Sequence, residues 1–560
     1  MNTLLKTRLL ASLIGIAVSG GALLPSLAWA QTADATLRGK APPEMQITAK
    51  NVATGVIRHT NSAADGSYAL VGLAPGTYTV DAGPGTERTV TLTVASTATL
   101  DFNAPAPAPS TTTTLSGVSV TASTLAEVKT SEVGNTISLH QINTVPQITR
   151  NFLEFADTVP GMAFQVDSSG HTSLRGGAQN TNSVNVYIDG VGQKNYVKEG
   201  GVSGQFFSQG NPFPQLAIGE YKVITSNYKA EYDQISSAAV TAETKSGTND
   251  FHGEVFGQYT DDDWRDMTPG EKASGKKTKS QEKEYGVAIG GPIIQDTMHF
   301  FLSYEAKRYD TPITVVPGVS GIDAALPPDV VAQFGPADLP FTEDLYFGKI
   351  DWEFSDRDRI EVSSKVRKEQ QRDNVGNQFA ASRGVDVVND DTRIDARWQH
   401  SADKWFNELL VNWQKVTNGP TALTVGNGAI YEWAPDNNRT IIIVGGADAL
   451  ATQEKSQKGP SIKDDLTFNN LNWMGDHTVK LGVKYQEVKL AAADASPNGN
   501  PVFHYDVTDT GTSPIPYKVD FPTPVPGLSP VAHSSNKQFG AYIQDDWAVN
   551  DKLTLNLGVR

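Results

Sequence analysis

From Phe251 to Arg560 apolar and polar residues take turns along the chain, and this alternation limits the fold more than any other feature. Phe251, Gly253, Val255, Gly257 and Tyr259 are interleaved with His252, Glu254, Phe256 and Gln258. His477, Val479, Leu481, Val483 and Tyr485 are interleaved with Thr478, Lys480, Gly482, Lys484 and Gln486, and Leu553, Leu555, Leu557 and Val559 with Thr554, Asn556, Gly558 and Arg560. A period of two sends one set to each face of a β-strand. A soluble sandwich shows the same alternation, so the connections have to decide. Strands are predicted near 251–259, 284–291, 298–306, 345–354, 359–367, 392–400, 405–416, 461–468, 477–488, 538–547 and 553–560. The connections 260–283, 307–344, 368–391, 417–460 and 489–537 are long, and those between them, 292–297, 355–358, 401–404, 469–476 and 548–552, are short. Strict long-short alternation belongs to an up-and-down barrel in an outer membrane, with long external loops and short turns on the other side. A sandwich has no reason to sort its loops in this way.

The tryptophans agree. Eight of the nine lie beyond residue 250, and Trp264, Trp352, Trp398, Trp405, Trp413 and Trp547 fall near predicted strand ends. Indole rings favour the headgroup level of a bilayer, where one edge meets apolar chains and the other can hydrogen-bond. Ordinary core or hairpin aromatics are the alternative. After residue 30 no apolar run approaches the ~20 residues that a membrane helix needs. Barrel strands give weak hydropathy signals, so that absence does not count against a barrel.

The first 30 residues read as a secretory signal peptide. Lys6 and Arg8 precede the apolar or small stretch Leu9–Leu24, and Ala28-Trp29-Ala30 presents the small residues Ala28 and Ala30 of a cleavage site, leaving Gln31 as the mature start. An anchor helix is the alternative, but the run is short and broken by Ser19, Gly20, Gly21 and Pro25. With no cysteine, the chain has no disulfide framework, no thiolate site and no lipid-modified N-terminal cysteine. A net charge of −16 argues against a nucleic-acid partner, which needs a basic face.

A length of 560 residues calls for several domains. Residues 31–103 hold short alternating segments separated by turns: Met45–Ala49, Ala53-Thr54-Gly55, Asp65-Gly66-Ser67-Tyr68, Ala69-Leu70-Val71, and Leu73-Ala74-Pro75-Gly76 before Thr77–Val80. That pattern predicts a small β-sandwich. The run from Asn61 to Val80 resembles the carboxypeptidase regulatory-like domain, a transthyretin-like sandwich that is not itself catalytic. Residues 104–114, Ala-Pro repeats followed by Ser110 and four threonines, read as a semi-rigid spacer. Residues 115–245 read as a small α+β domain, with short helices between Leu139 and Phe155 interrupted by Pro146, and strands at Val184–Ile188, Tyr221–Ile224 and Ala238–Thr244.

Leu174-Arg175-Gly176-Gly177 and Val186-Tyr187-Ile188-Asp189-Gly190 resemble the plug of TonB-dependent receptors, as does the run from Ile218 to Val223 with Tyr228, Glu231 and Tyr232. Gly290–Asp296 with Phe300, Phe301, Tyr304 and Glu305 resembles the early barrel of the Oar-like branch of that family, and Tyr542–Trp547 with Leu553–Arg560 a later hairpin. The resemblance covers nearly all of the mature chain. It implies an all-β chain with a small α+β plug: a transthyretin-like sandwich, a plug domain at 115–245, then at 251–560 about eleven strands of an antiparallel outer-membrane barrel. About eleven against the ~22 of plugged transporters reads as a barrel cut off midway. The resemblance also implies the Gram-negative outer membrane, with a periplasmic N-terminal domain, an unidentified external ligand and uptake energised by TonB.

TonB grips such receptors by adding a strand to an extended segment ahead of the plug. Leu115, Ser116, Gly117, Val118, Ser119, Val120 and Thr121 resemble such a TonB box; a plain first strand of the plug is the alternative. Arg175 is expected to pair with a carboxylate of the barrel wall, ligand contact being the alternative, and Gly176 and Gly177 to form a turn, because glycine tolerates positive φ. Asp189 and Gly190 are expected to close a strand in a turn. Asp261, Asp262 and Asp263 could bind calcium, but a solvated acidic loop is the preferred reading. The nine histidines form no ligand pair on one strand, and H-E-x-x-H is absent. No metal, cofactor or catalytic residue is expected. Surface adhesion on the same scaffold is the competing function, and a secreted peptidase lacks any catalytic constellation.

Overall fold

The computed structural model describes residues 34–102, 123–124, 130–167, 170–197, 201–203, 205, 208–446, 451–493, 500–523, 526–527, 529–550 and 552–560. The segment holding Ala28 and Ala30, the 104–114 spacer and Leu115–Thr121 lie outside the described residues.

The N-terminal unit is a two-sheet sandwich. Its strands are β1 (Ala35–Lys40), β2 (Gln46–Asn51), β3 (Ile57–Asn61), β4 (Ser67–Leu73), β5 (Gly76–Asp81), β6 (Arg88–Leu92) and β7 (Thr97–Thr99). One sheet has the order β4-β1-β7 and the other β3-β2-β5-β6, to which β8 (Ser123–Thr124) adds in parallel beside Val90 and Thr91. Alternate residues Leu37, Ile47, Ala49, Tyr78, Val80, Val90 and Leu92 meet in the core between the sheets. The Tyr68 hydroxyl reaches out of that core to donate to the Leu100 carbonyl at 2.6 Å.

The next unit comprises β9 (Val133–Ile137), α1 (Leu139–Thr144), β10 (Met162–Val166), β11 (Thr172–Gly176), β12 (Val184–Ile188), β13 (Val191–Gly192), β14 (Ile218–Ser226) and β15 (Ala238–Thr244). Five of its strands form a mixed sheet in the order β13-β12-β15-β14-β9, with β12 and β15 parallel. Ser138 and Gln141 cap α1 reciprocally, and the helix stops short of Pro146. Both β12 and β15 are buried along their whole length, and Ile137, Phe152, Leu153, Val186, Ile188, Tyr221, Val223 and Val240 fill the core. Tyr221 lies edge-on to Phe152, their ring centres 5.5 Å apart.

The remainder is dominated by β16 (His252–Asp261), α2 (Pro269–Ser274), β17 (Gln281–Ile294), β18 (Met298–Val315), α3 (Pro328–Val331), β19 (Gly335–Glu353), β20 (Asp358–Asp373), β21 (Val385–Ser401), β22 (Trp405–Ala422), β23 (Gly428–Trp433), β24 (Arg439–Gly445), β25 (Glu454–Asn472) and β26 (Asp476–Ala493). It ends with β27 (Val502–Thr508), β28 (Gly511–Thr512), β29 (Lys518–Asp520), β30 (Ala532–Asn550) and β31 (Leu553–Val559). Eleven of these strands form one antiparallel meander, β16-β17-β18-β19-β20-β21-β22-β25-β26-β30-β31, with β16 and β31 at its edges. These are the eleven strands that the alternation predicts, joined by alternately long and short connections. Several run further than their apolar pattern: β19 begins at Gly335, ten residues before the predicted start at 345.

The polarity of this sheet settles which architecture it is. On β20 the buried positions are Arg359, Glu361, Ser363, Lys365, Arg367, Glu369 and Gln371, whereas Val362 is 46% exposed. On β21 Asp391, Arg393, Asp395, Arg397 and Gln399 are buried, and Ile394 and Trp398 face outward. A water-soluble sandwich would bury the apolar set. Here the charged set wraps the plug and the apolar set forms the outer surface, which is the inverted pattern of a membrane barrel wall.

Two features go beyond the sequence reading. The long connections 423–453 and 494–531 carry a second five-stranded sheet, in which β23 pairs with β24 and, in parallel, with β27, and β27 pairs with β28 and β29. At the opposite, short-turn end of the wall sits the sandwich. The Asn469 side chain donates to the Ala69 carbonyl at 3.0 Å, and the Asn249 amide to the Ala53 carbonyl at 2.9 Å.

Candidate functional site

Two charged seams hold the plug unit against the wall. The first starts from a two-residue turn between β12 and β13. Asp189 (φ 52°) and Gly190 (φ 78°) both take left-handed conformations, as the tightest hairpins require. In that position the Asp189 carboxylate accepts from the Thr244 amide at 2.8 Å and the Thr244 hydroxyl at 2.9 Å. Glu243, the preceding residue of β15, then faces the wall, with Lys349 at 3.5 Å and Arg397 at 3.0 Å. Both cations also hold Glu361, Lys349 at 3.0 Å and Arg397 at 2.9 Å. Burial pushes the Glu243 carboxyl up to about 7, against the pull of Arg397 and Lys349.

The second seam joins the loop before β14 to β18, β19 and β20. Ser208 donates to Glu369 at 2.7 Å, and the Asn211 amide to Glu343 at 2.8 Å. Arg367 lies between those two carboxylates, 3.0 Å from Glu343. Lys365 donates to the Pro212 carbonyl at 2.9 Å, and Lys307 to the Thr149 carbonyl at 2.6 Å. Gly210 fits closely here: a Cβ would come within 2.3 Å of Glu343 Oε1 and 2.5 Å of Glu369 Oε2, so both carboxylates would have to shift. Side-chain ion pairs this deeply buried are costly to leave half-made, so they specify where the plug sits.

On the side of the long connections the plug is hollowed into a cleft of about 610 Å³ lined by the β10–β11 hairpin, including Phe164, Val166, Asp167, His171 and Arg175. His171 Nδ1 lies 3.0 Å from Asp167, and its Nε2 lies 3.0 Å from the side-chain nitrogen of Gln371, near the outer end of β20. The cleft therefore presents a cation, a carboxylate, an imidazole and apolar surface to whatever enters from that side.

The residues singled out in the sequence divide as follows. Asp189 and Gly190 form the expected turn. Gly177 has the expected positive φ of 58°, but Gly176 does not: it is the last residue of β11 and is small because a Cβ would meet Ser237 Oγ at 2.8 Å. Arg175 does not pair with the wall; it is exposed, lines the cleft and has no carboxylate within 4 Å among the described residues. Among the described residues two acidic groups approach closely enough to hold a cation, Asp261 with Asp262 and Asp263, and Asp189 with Glu243 and Glu361. The second group already surrounds Lys349 and Arg397, so protein cations balance its charge.

The wall residues of the seams carry a sequence signal of their own. In the run Asp358–Gln371 charged or polar residues recur at every odd position from Arg359 to Gln371, the inward face of β20. The cleft has no comparable signal, because it depends on how the β10–β11 hairpin stands off the plug sheet.

Comparison with known proteins places this architecture. A family model described as "Outer membrane beta barrel domain" matches residues 243–326 and 323–560, and one described as "Carboxypeptidase regulatory-like domain" matches residues 33–105. A curated relative, the TonB-dependent transporter Oar of Myxococcus xanthus, is 22% identical over 503 residues, covering 74% of this chain and 45% of the relative. The chain thus spans less than half the length of that relative. Among solved structures, the outer membrane transporter YddB of Escherichia coli superposes with a TM-score of 0.57 at 12% identity, over 76% of this chain and 56% of that one. The siderophore receptor PirA of Acinetobacter baumannii gives 0.52 at 14% identity over 76% and 55%, and a variant of the ferric enterobactin receptor PfeA of Pseudomonas aeruginosa 0.51 at 13% over 76% and 56%. At these identities the likeness is one of fold.

Proposed function

Since the chain belongs to the outer membrane beta barrel domain family, we propose that it works in TonB-dependent uptake of an external ligand across the Gram-negative outer membrane. The observation that carries this reading is a folded plug seated by buried ion pairs inside an inward-charged, outward-apolar wall. A wall that served only as an anchor would need no such plug. In this reading the long connections face outward, the cleft with Arg175 and His171 receives the ligand, and the sandwich faces the periplasm. Leu115, Ser116, Gly117, Val118, Ser119, Val120 and Thr121 are the proposed segment that TonB grips, with main-chain hydrogen bonds carrying the grip. The named relatives include siderophore receptors, but the cleft's mixed chemistry does not choose a ligand class.

Binding of the purified chain to the periplasmic domain of TonB tests the segment directly. Val118→Pro removes an amide donor from the added strand and weakens binding at least about tenfold, the equivalent of one or two lost hydrogen bonds. Unchanged binding would remove 115–121 from that role. Adhesion is the second reading, favoured by the five-stranded sheet built from two of the long connections. Cells lacking the protein would then lose surface attachment while accumulating labelled ferric siderophores and peptides as before.

A further inference from the structure

The N-terminal sandwich is held at the mouth of the wall by contacts too specific for a tethered appendage. On β3, Arg58 and Thr60 pair in register with Ala49 and Ile47, so they lie on the face that elsewhere forms the sandwich core. Polar residues there would be wasted in an isolated sandwich. In place of the second sheet they meet the barrel's short turns: Arg58 pairs with Glu353 at 2.5 Å, both nine-tenths buried, and the Thr60 hydroxyl points at the Asp403 carbonyl at 3.5 Å. Gly72 on β4 lies so close to Phe406 that a Cβ would come within 2.1 Å of its ring. The wall completes the sandwich.

The sandwich also reaches the plug along two routes. Directly, the Val94 amide donates to Glu220 of β14, and Lys222 of the same strand donates to the Ala95 carbonyl at 3.4 Å while pairing with Glu132 at 2.9 Å. Indirectly, an unbroken series of ion pairs runs through the wall. Glu353 passes from Arg58 to Arg359 at 3.4 Å, Arg359 to Glu361 at 3.1 Å, and Glu361 to the two cations that hold Glu243 of the plug. The chain between sandwich and plug adds a third tie, β8 lying against β6.

We propose that the sandwich is a latch: seated on the short turns, it clamps β14 and β9 of the plug, and it must lift before the plug can rearrange. The need for the plug to yield rests on the transport reading above. The clamp itself is a property of the chain alone, so the experiment uses neither TonB nor ligand and its failure is separable from failure of that reading.

Amide hydrogen exchange on the full chain in detergent reads the clamp strand by strand. Arg58→Glu sets two carboxylates against each other at the seat, and Glu353→Gln weakens the same contact from the wall side without touching the sandwich. Either change accelerates exchange in β9 and β14 at least about tenfold, while β20 and β21 keep their protection. Because the chain has no cysteine, Asp65→Cys with Asn472→Cys, whose side chains are hydrogen-bonded across the seat, adds a single possible crosslink. Oxidation of that pair in the Arg58→Glu background returns β9 and β14 to the native rate. Exchange in β9 and β14 within about twofold of native in both Arg58→Glu and Glu353→Gln would overturn the latch. Should Arg58→Glu also expose the amides of β4 and β5, the sandwich itself has unfolded, and Glu353→Gln alone decides.

Discussion

Arg397→Met is the most informative single change to the plug seat. Arg397 is 2% exposed and holds three carboxylates, Glu361 at 2.9 Å, Glu243 at 3.0 Å and Glu408 at 3.8 Å. Methionine fills most of its volume, so the effect is electrostatic. After the change Glu243 is left with Lys349, and Glu361 with Lys349 and Arg359. Removing one partner from a buried ionic group costs about 3–5 kcal/mol, because the remaining charges stay desolvated. Proton uptake limits that loss. The Glu243 carboxyl already stands at about 7, and without the guanidinium it moves higher and takes a proton rather than remain charged. The cost is therefore at the top of the range at pH 8 and falls as the solution is brought to pH 6. Glu243→Gln is the control: a carboxamide still accepts from Arg397, and the loss is about 1 kcal/mol. Local opening free energies from amide exchange in β15 measure both. A loss under about 1 kcal/mol for Arg397→Met, or an equal loss for Glu243→Gln, would show that the seam does not hold the plug by charge.

Three further outcomes follow from the same geometry. Ile394→Arg, on the outward face between the inward Arg393 and Asp395, costs about 2–4 kcal/mol in vesicle-folding titrations; a cost no greater than that of Val425→Arg in an outer connection would refute the assignment of faces. Burial raises the Glu220 carboxyl from 4.5 to about 7, so the folded state holds its proton more tightly than the unfolded chain. Its contribution is fully present below pH 4.5 and is lost as pH rises through 7, and melting of the plug against pH loses that slope in Glu220→Gln. Arg175→Ala, at an exposed position, shifts stability by no more than about 0.5 kcal/mol, and a loss several times larger in the same melting experiment would restore its expected pairing with the wall.

The wall was legible because a bilayer outside and a polar plug inside impose opposite demands on alternate residues. Val362 between Glu361 and Ser363, or Ile394 between Arg393 and Asp395, writes that demand into the sequence. Where β19 projects beyond that zone, from Gly335 with Pro336 and Pro340, neither face is held to one polarity and the period fades. The hairpin at Asp189-Gly190 was legible because left-handed turns leave few choices of residue. Gly176 and Gly177 share one composition signal with two causes: Gly177 takes the positive φ of the turn, whereas Gly176, whose carbonyl closes that turn by accepting from the Gln179 amide at 3.3 Å, is small because of its close approach to Ser237. Arg175 was misread because pairing depends on what the fold brings opposite it, and the fold brings the open cleft. The seating of Arg58 and Thr60 on an inward sandwich face was visible as a broken apolar pattern, but only the barrel's turns give it meaning.

The parallel pairing of β23 with β27 has a consequence for how the outer surface can vary. Gly428–Trp433 and Val502–Val507 are held in register across two loops, with Tyr431 stacked on Tyr505 at 5.4 Å between ring centres. A single inserted residue in either strand would turn every following side chain to the opposite face and unstack that pair. The two loops, far apart along the gene, are therefore one unit of heritable change: drift in one is tolerated only with a matching change in the other, and the connection around α3 belongs to the same unit, since the Gly318 amide donates to the Ile441 carbonyl at 2.9 Å and the Thr512 hydroxyl to the Ala325 carbonyl at 2.7 Å.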